Sequence, residues 1–186
     1  MKQARVLTEK EFKRVLAVTA SARHAARNKI ALILSYYVGL RVAEISHLKW
    51  QDVLDNNGEI KDSVFLAPSY TKGNKSRTVF LSKQVQAELV KFRKSIALTT
   101  EYIICSQKQK RFSPNSLCQL FSRLYENAGL VGASSHSGRR YFITKLAHSG
   151  VSPKVIMELA GHSNLNTTQR YIEVNDQLKR NAVNLL

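Results

Sequence analysis

Val53-Leu54-Asp55-Asn56-Asn57-Gly58-Glu59-Ile60, and the run that continues to Leu81, decide the fold class. Strand-prone residues gather here as Val53-Leu54, Val64-Phe65-Leu66 and Thr78-Val79-Phe80-Leu81. Two turn signals interrupt them, Asn56-Asn57-Gly58 and Lys72-Gly73-Asn74. Short strand-prone runs separated by such turns predict a small antiparallel sheet with two hairpins. The flanks read as helix. Upstream, Thr8-Glu9-Lys10-Glu11 is a capping box, opening a helix to about Thr19. A second, apolar helix runs from about Arg23 to Val38, where Gly39 offers a stop, and a short one from about Val42 to Leu48. Downstream, Ser82 caps a helix to about Ser95, and Ser113-Pro114 starts one to about Ala128. Further helices are expected near 136–148, 153–160 and 167–173, and Asp176–Leu186 reads as a short amphipathic helix. With no internal repeat and no Gly/Ser linker, the expectation is one domain over 1–186. It is mainly α with a small antiparallel β-sheet, an α+β fold.

Composition narrows the function classes. The 186 residues are 44% hydrophobic, enough for a core, and carry 29 Lys plus Arg against 13 Asp plus Glu, a formal charge of +16. Such an excess favours a polyanionic partner, because each neutralised phosphate releases condensed counterions. The excess lies in the first 150 residues, while the last 36 are nearly neutral, so a folded basic surface is expected rather than a basic tail. The longest apolar stretch, Ile30–Leu40, is 11 residues, against the roughly 20 needed to cross a bilayer. No signal-peptide core follows Met1-Lys2-Gln3-Ala4-Arg5, and Cys105 and Cys118 have neither metal nor disulfide spacing. A protein of a reducing compartment is implied, with the two thiols inert and buried.

The sequence lacks a Walker loop, a Gly-rich dinucleotide turn and His-Glu-x-x-His, and shows no carboxylate cluster suited to two metals. Three segments stand out instead. In Gly39-Leu40-Arg41-Val42-Ala43-Glu44-Ile45 an arginine opens a helix, with a glutamate three residues on along the same face. In His136-Ser137-Gly138-Arg139 a helix sets histidine and arginine on one face. Ala160-Gly161-His162-Ser163 is followed by Tyr171. Lys72 sits in the hairpin turn between the first two segments. Taken singly, each has a plain structural alternative: a surface arginine at a helix start, a structural histidine pair, a packing tyrosine. Lys75 competes with Lys72, and His24, His47 and His148 read as ordinary histidines.

In order and spacing, Arg41, Lys72, His136, Arg139, His162 and Tyr171 resemble the catalytic set of the tyrosine recombinase, or phage integrase, family. The resemblance covers about residues 5–175 and includes Thr167-Thr168 just before the tyrosine segment. Arg140 stands where a histidine is frequent, and Ser137-Gly138 replaces a commoner Asp-Leu. The resemblance implies a recombinase catalytic domain that cleaves and rejoins DNA through a 3′-phosphotyrosine, with no metal, ATP or other cofactor. Arg41 and Arg139 would grip the scissile phosphate, and Tyr171 would attack it. His136 would serve as general base, Lys72 as general acid, and His162 as a hydrogen-bond donor to phosphate. Glu44 would orient the catalytic side chains. Lys75, Arg77, Arg111, Arg123, Arg140 and Arg170 are candidate DNA contacts, each competing with a plain solvated charge. The expected partners are double-stranded DNA, further copies in a tetramer on paired sites, and accessory DNA-bending or recombinase proteins. The expected location is cytoplasmic, at the nucleoid. Only 40 residues precede Arg41, too few for a separate N-terminal DNA-binding domain, so either an isolated catalytic domain or a naturally short form is expected. The segment 174–186 would dock on a neighbouring subunit or pack on its own domain. Two competing functions are a catalytically silent DNA-binding regulator on the same fold and an RNA-binding structural protein.

Overall fold

The computed structural model describes residues 4–71, 75–96, 100–172, 179–180 and 183–184. The chain begins with α1, Glu9–Ala20, whose capping box forms as the sequence demands: the Glu11 amide donates to Thr8 Oγ1 and the Thr8 amide to the Glu11 carboxylate. Next is α2, Ala25–Tyr37, in which every residue from Ile30 to Tyr36 is buried. A helix apolar on all sides is a central helix. Tyr36 lies stacked between Phe12, at 3.6 Å, and Tyr141, at 3.9 Å between ring centroids. Two short helices follow, α3 (Val42–His47) and α4 (Trp50–Val53).

The sheet is smaller than expected. Strand β1, Ser63–Leu66, pairs antiparallel with β2, Arg77–Phe80, in the register Ser63↔Phe80 to Leu66↔Arg77. The expected first hairpin shrinks to one isolated bridge, Leu54↔Ile60, around the Asn56-Asn57-Gly58 turn. The cause is local. Trp50 and Val53 are both buried at a spacing of three, and the Asp52 carboxylate accepts from the Lys49 amide. Helical rather than strand periodicity therefore wins at Val53. The second hairpin is present, but its connection contains a 3₁₀ turn at Pro68–Tyr70 and is longer than a tight turn. Thr71 Oγ1 donates to the Lys75 carbonyl at 2.6 Å; residues 72–74 between them, Lys72 included, lie outside the described residues.

Helices α5 (Lys83–Lys94) and α6 (Pro114–Asn127) start at the expected caps, with Ser82 accepting from Val85 N and Ser113 from Ser116 N. Then come α7 (Ser137–His148), α8 (Pro153–Ala160) and α9 (Leu165–Gln169). Helix α9 stops before Tyr171, whereas the sequence predicts helix through 173. Most of the segment 174–186 lies outside the described residues. The main core gathers α1, α2, α3, the sheet, α5 and α6. A smaller one joins Ile143 and Ala147 of α7 to Ile156 and Ala160 of α8, with Phe142, Tyr171 and Ile172 packed on its edge. The candidate tyrosine is thus anchored to the same small cluster as the helix that follows His136. Among the described residues no helix is long and apolar enough to cross a membrane.

Candidate active site

Between α2 and α3 the chain turns at Gly39, where φ is +70°. A Cβ at this position would overlap the Phe142 ring of α7, so glycine is required both by conformation and by space. The turn places Arg41 at the N-cap of α3. Its amide donates to Glu44 Oε2 at 2.7 Å, Nη1 to Glu44 Oε1 at 2.9 Å, and Nη2 to the Gly161 carbonyl at 2.9 Å. Glu44 is fully buried, with 0% of its side chain exposed. A lone carboxylate in that setting would be costly. A second guanidinium relieves the cost: Arg77, on β2, donates Nη2 to Glu44 Oε2 at 2.9 Å and Nη1 to Oε1. Burial pushes the Glu44 carboxyl up, but Arg77 and then Arg41 outweigh it and hold the group below the ordinary carboxylate range.

Arg139 enters from the first turn of α7 and is 6% exposed. It donates Nη1 to the Gly39 carbonyl at 2.6 Å and Nη2 to the Ala160 carbonyl. The three sequence segments are therefore laced together by two arginines and the carbonyls of Gly39, Ala160 and Gly161. Burial, then Arg41, pushes Arg139 down to about 9, with Glu44 opposing. It remains a cation at neutral pH. Three guanidiniums share one buried carboxylate, so the site keeps a surplus of positive charge.

His162 follows Gly161, the C-cap of α8 at φ +61°. A Cβ on Gly161 would lie 2.7 Å from Arg77 Cδ, so glycine lets β2 close on this turn. Burial, followed by Arg139, Arg41 and Arg77, pushes His162 down to about 4. The ring is neutral at pH 7, and its Nδ1 lies 2.9 Å from Thr168 Oγ1. When that hydroxyl donates to Nδ1, Nε2 carries the hydrogen and is a donor. Tyr171 is half-buried just beyond α9. Its ring centroid lies 6.1 Å from that of His162, at an interplanar angle of 22°. Arg140 places its guanidinium carbon 5.1 Å from the same ring centroid.

Of the sequence-expected residues, Arg41, Glu44, Arg139, His162 and Tyr171 converge. His136 is exposed at the N-cap of α7, one turn before Arg139. Lys72 lies outside the described residues. A groove of about 1100 Å³ opens over the site, lined by Arg41, Lys75, Arg77, Gly161, His162 and Thr167 among others. Two of the candidate DNA contacts have partners within the protein: Arg77, with only 9% of its side chain exposed, is held on Glu44, and Arg140 lies over Tyr171. Lys75 is exposed at the groove, and Arg170 is exposed beside Tyr171. Arg111 and Arg123 are exposed but do not line the groove. Cys105 and Cys118, expected buried, are half-buried free thiols. Among the described residues no three His, Cys, Asp or Glu side chains gather where a metal ion could be held.

The pattern of the phage integrase family matches residues 5–178. The chain is 33% identical over 180 residues to tyrosine recombinase XerA of Pyrococcus horikoshii, covering 95% of this chain and 59% of that protein. It is 33% identical over 181 residues to its counterpart in Thermococcus kodakarensis, covering 96% and 61%. It spans about three fifths of the length of these curated relatives. A crystal structure of XerA recombinase superposes with a TM-score of 0.74 at 23% identity, over 100% of this chain and 64% of that one. A lambda integrase dimer bound to a COC′ core site gives 0.71 at 21%, over 93% and 49%.

Proposed function

Because this chain belongs to the phage integrase family, we propose that it is a site-specific DNA recombinase that cleaves and rejoins strands through a 3′-phosphotyrosine. The observation that carries the reading is the gathering of Arg41 and Arg139 on the adjacent carbonyls of Gly161 and Ala160, next to His162 and the Tyr171 ring beside it, under a groove that Arg41 and His162 line. In the forward step Tyr171 Oη attacks phosphorus and the bond from phosphorus to the 5′-oxygen breaks. The phenol proton leaves to a base, and the departing 5′-oxygen gains a proton. The strand is thereby left on the tyrosine as a phosphodiester, and a 5′-hydroxyl from another strand reverses the step. Since the ester is conserved, no ATP is consumed.

Each role follows from charge and geometry. Arg41 and Arg139 offer planar forks to the nonbridging oxygens, where negative charge grows in the transition state. Arg41 is held by Glu44 and the Gly161 carbonyl, and Arg139 by the Gly39 and Ala160 carbonyls, before substrate arrives, so little reorganisation is needed. His162, neutral and bound to Thr168, donates through Nε2 to the same phosphate. A free phenol titrates near ~10, so Tyr171 needs a base as well as the cationic surroundings. His136, exposed at the N-cap of α7, takes that role. Lys72 is assigned to the leaving oxygen. Lys75, Arg111, Arg123 and Arg170 are assigned to the DNA backbone, whose contacts position without reading sequence. The assembly is a tetramer on two paired duplexes, aided by accessory DNA-bending or recombinase proteins, with residues 174–186 docking on a neighbouring subunit. The place of action is the nucleoid.

The test is a nicked suicide duplex that loses its small 5′-fragment on cleavage. A denaturation-resistant protein–DNA adduct should accumulate in EDTA and vanish in Tyr171→Phe, with DNA binding retained. An adduct that survives Tyr171→Phe, or strict dependence on Mg²⁺, rejects the mechanism. Binding without any adduct would return the silent regulator.

A further inference from the structure

Arg140 departs from the histidine frequent at this place in the family, and its surroundings show what an arginine does there. Its guanidinium carbon lies 5.1 Å from the Tyr171 ring centroid. Its Nε is buried without a hydrogen-bond partner. A surface arginine that served only as a solvated charge would keep Nε hydrated, because an unpaired buried N–H is costly. What the geometry offers in return is the face of an aromatic ring, which attracts a cation through its quadrupole. Helix α7 adds to this. Successive residues on a helix point about 100° apart. Arg139 turns inward to the Gly39 and Ala160 carbonyls, and Arg140 turns to the chain beyond α9.

We propose that Arg140 is a positioning residue for the nucleophile: laid over the Tyr171 ring, it holds that phenol at the cationic site of its own chain. The inference rests on the function proposed above. A cation over the face of a phenol ring is attracted by the ring's quadrupole, and that attraction supplies the hold. Arg140 is thereby separated from the arginines that touch phosphate. It acts on the attacking atom through the ring, and its loss should weaken cleavage without a matching loss of DNA affinity.

Single-turnover cleavage of the nicked duplex, with DNA binding by mobility shift, tests this on the full chain. Arg140→Gln should slow cleavage on the order of 5- to 30-fold, the range of a desolvated cation–π contact. DNA affinity should stay within about twofold. Arg140→Lys, which keeps the cation, should recover most of the rate. Arg140→Met, similar in packing volume, supplies a second neutral variant, and thermal melts check that each protein is folded. Three results overturn the proposal: cleavage by the neutral variants at the wild-type rate, equal losses in affinity and cleavage, or no recovery by lysine. A wild-type chain that forms no Tyr171-dependent adduct overturns this inference and the function together. An adduct formed equally fast by Arg140→Gln overturns this inference alone.

Discussion

Glu44→Gln removes one negative charge and changes almost no volume, so its effect isolates the electrostatics of the site. In the folded protein the Glu44 carboxylate accepts from four donors: the Arg41 amide, Arg41 Nη1 and both terminal nitrogens of Arg77. Glutamine keeps one acceptor oxygen and turns an NH₂ group toward a guanidinium. Arg41, Arg77 and Arg139 are then left as neighbouring cations without their counter-charge. Breaking a buried ion pair by removing one partner costs roughly 3–5 kcal/mol. At roughly 2–4 °C per kcal/mol for a chain of this size, Tm should fall by roughly 6–20 °C at pH 7. The fall should shrink when DNA is added, because a bound phosphate supplies the missing charge. Burial raises the Glu44 carboxyl but the guanidiniums lower it further, so its folded value lies below its unfolded one. Its contribution is therefore complete above the unfolded value of 4.5 and is lost as pH drops through the folded one. The gap between wild type and variant should persist at about pH 5 and close only in stronger acid. Differential scanning calorimetry across pH reads all three outcomes. A fall under about 2 °C at pH 7, or a gap that closes well above the unfolded value, refutes the argument.

Other perturbations probe other parts of the site. His162 is pushed down to about 4 from 6.5, so the unfolded chain takes up its proton first; stability should decline as pH drops from 6.5 toward 4, and His162→Asn should flatten that decline. Melts of both proteins over this window check it, and equal slopes would refute it. Gly39→Ala forces an L-residue to φ +70° against Phe142 and should cost roughly 2–5 kcal/mol, read from chemical denaturation. A midpoint unchanged from wild type would refute the packing account. Lys72→Ala should slow cleavage strongly, and a substrate whose leaving oxygen is replaced by sulfur, which needs no protonation, should restore it. Failure of the rescue would move the acid role to Lys75 or His136.

What the sequence made legible depended on whether the signal was local. Thr8-x-x-Glu11, Ser82 and Ser113-Pro114 announce helix starts because the capping chemistry lies within four residues, and each forms as expected. Arg41 with Glu44 was equally readable, at a helical spacing of three. Val53 misled because its two-residue apolar run fits strand or helix. Burial of Trp50 at the i−3 position settled the matter, and no propensity reports that. Arg77 is the instructive case. Judged as a charge in a basic protein, it joins the DNA contacts. Judged by strand alternation, it shares a face with Val79, which is 2% exposed, and so points inward where only a buried anion could tolerate it. That anion is Glu44, 33 residues earlier, and nothing local in the sequence connects the two. The carbonyls that fasten Arg41 and Arg139 were beyond reach for the same reason. A backbone carbonyl has no sequence signature, yet these acceptors set where the two guanidiniums can stand. The identity of the candidate site residues is thus written in short motifs. Their geometry is written in glycine positions and one long-range ion pair, and only the folded chain brings those together.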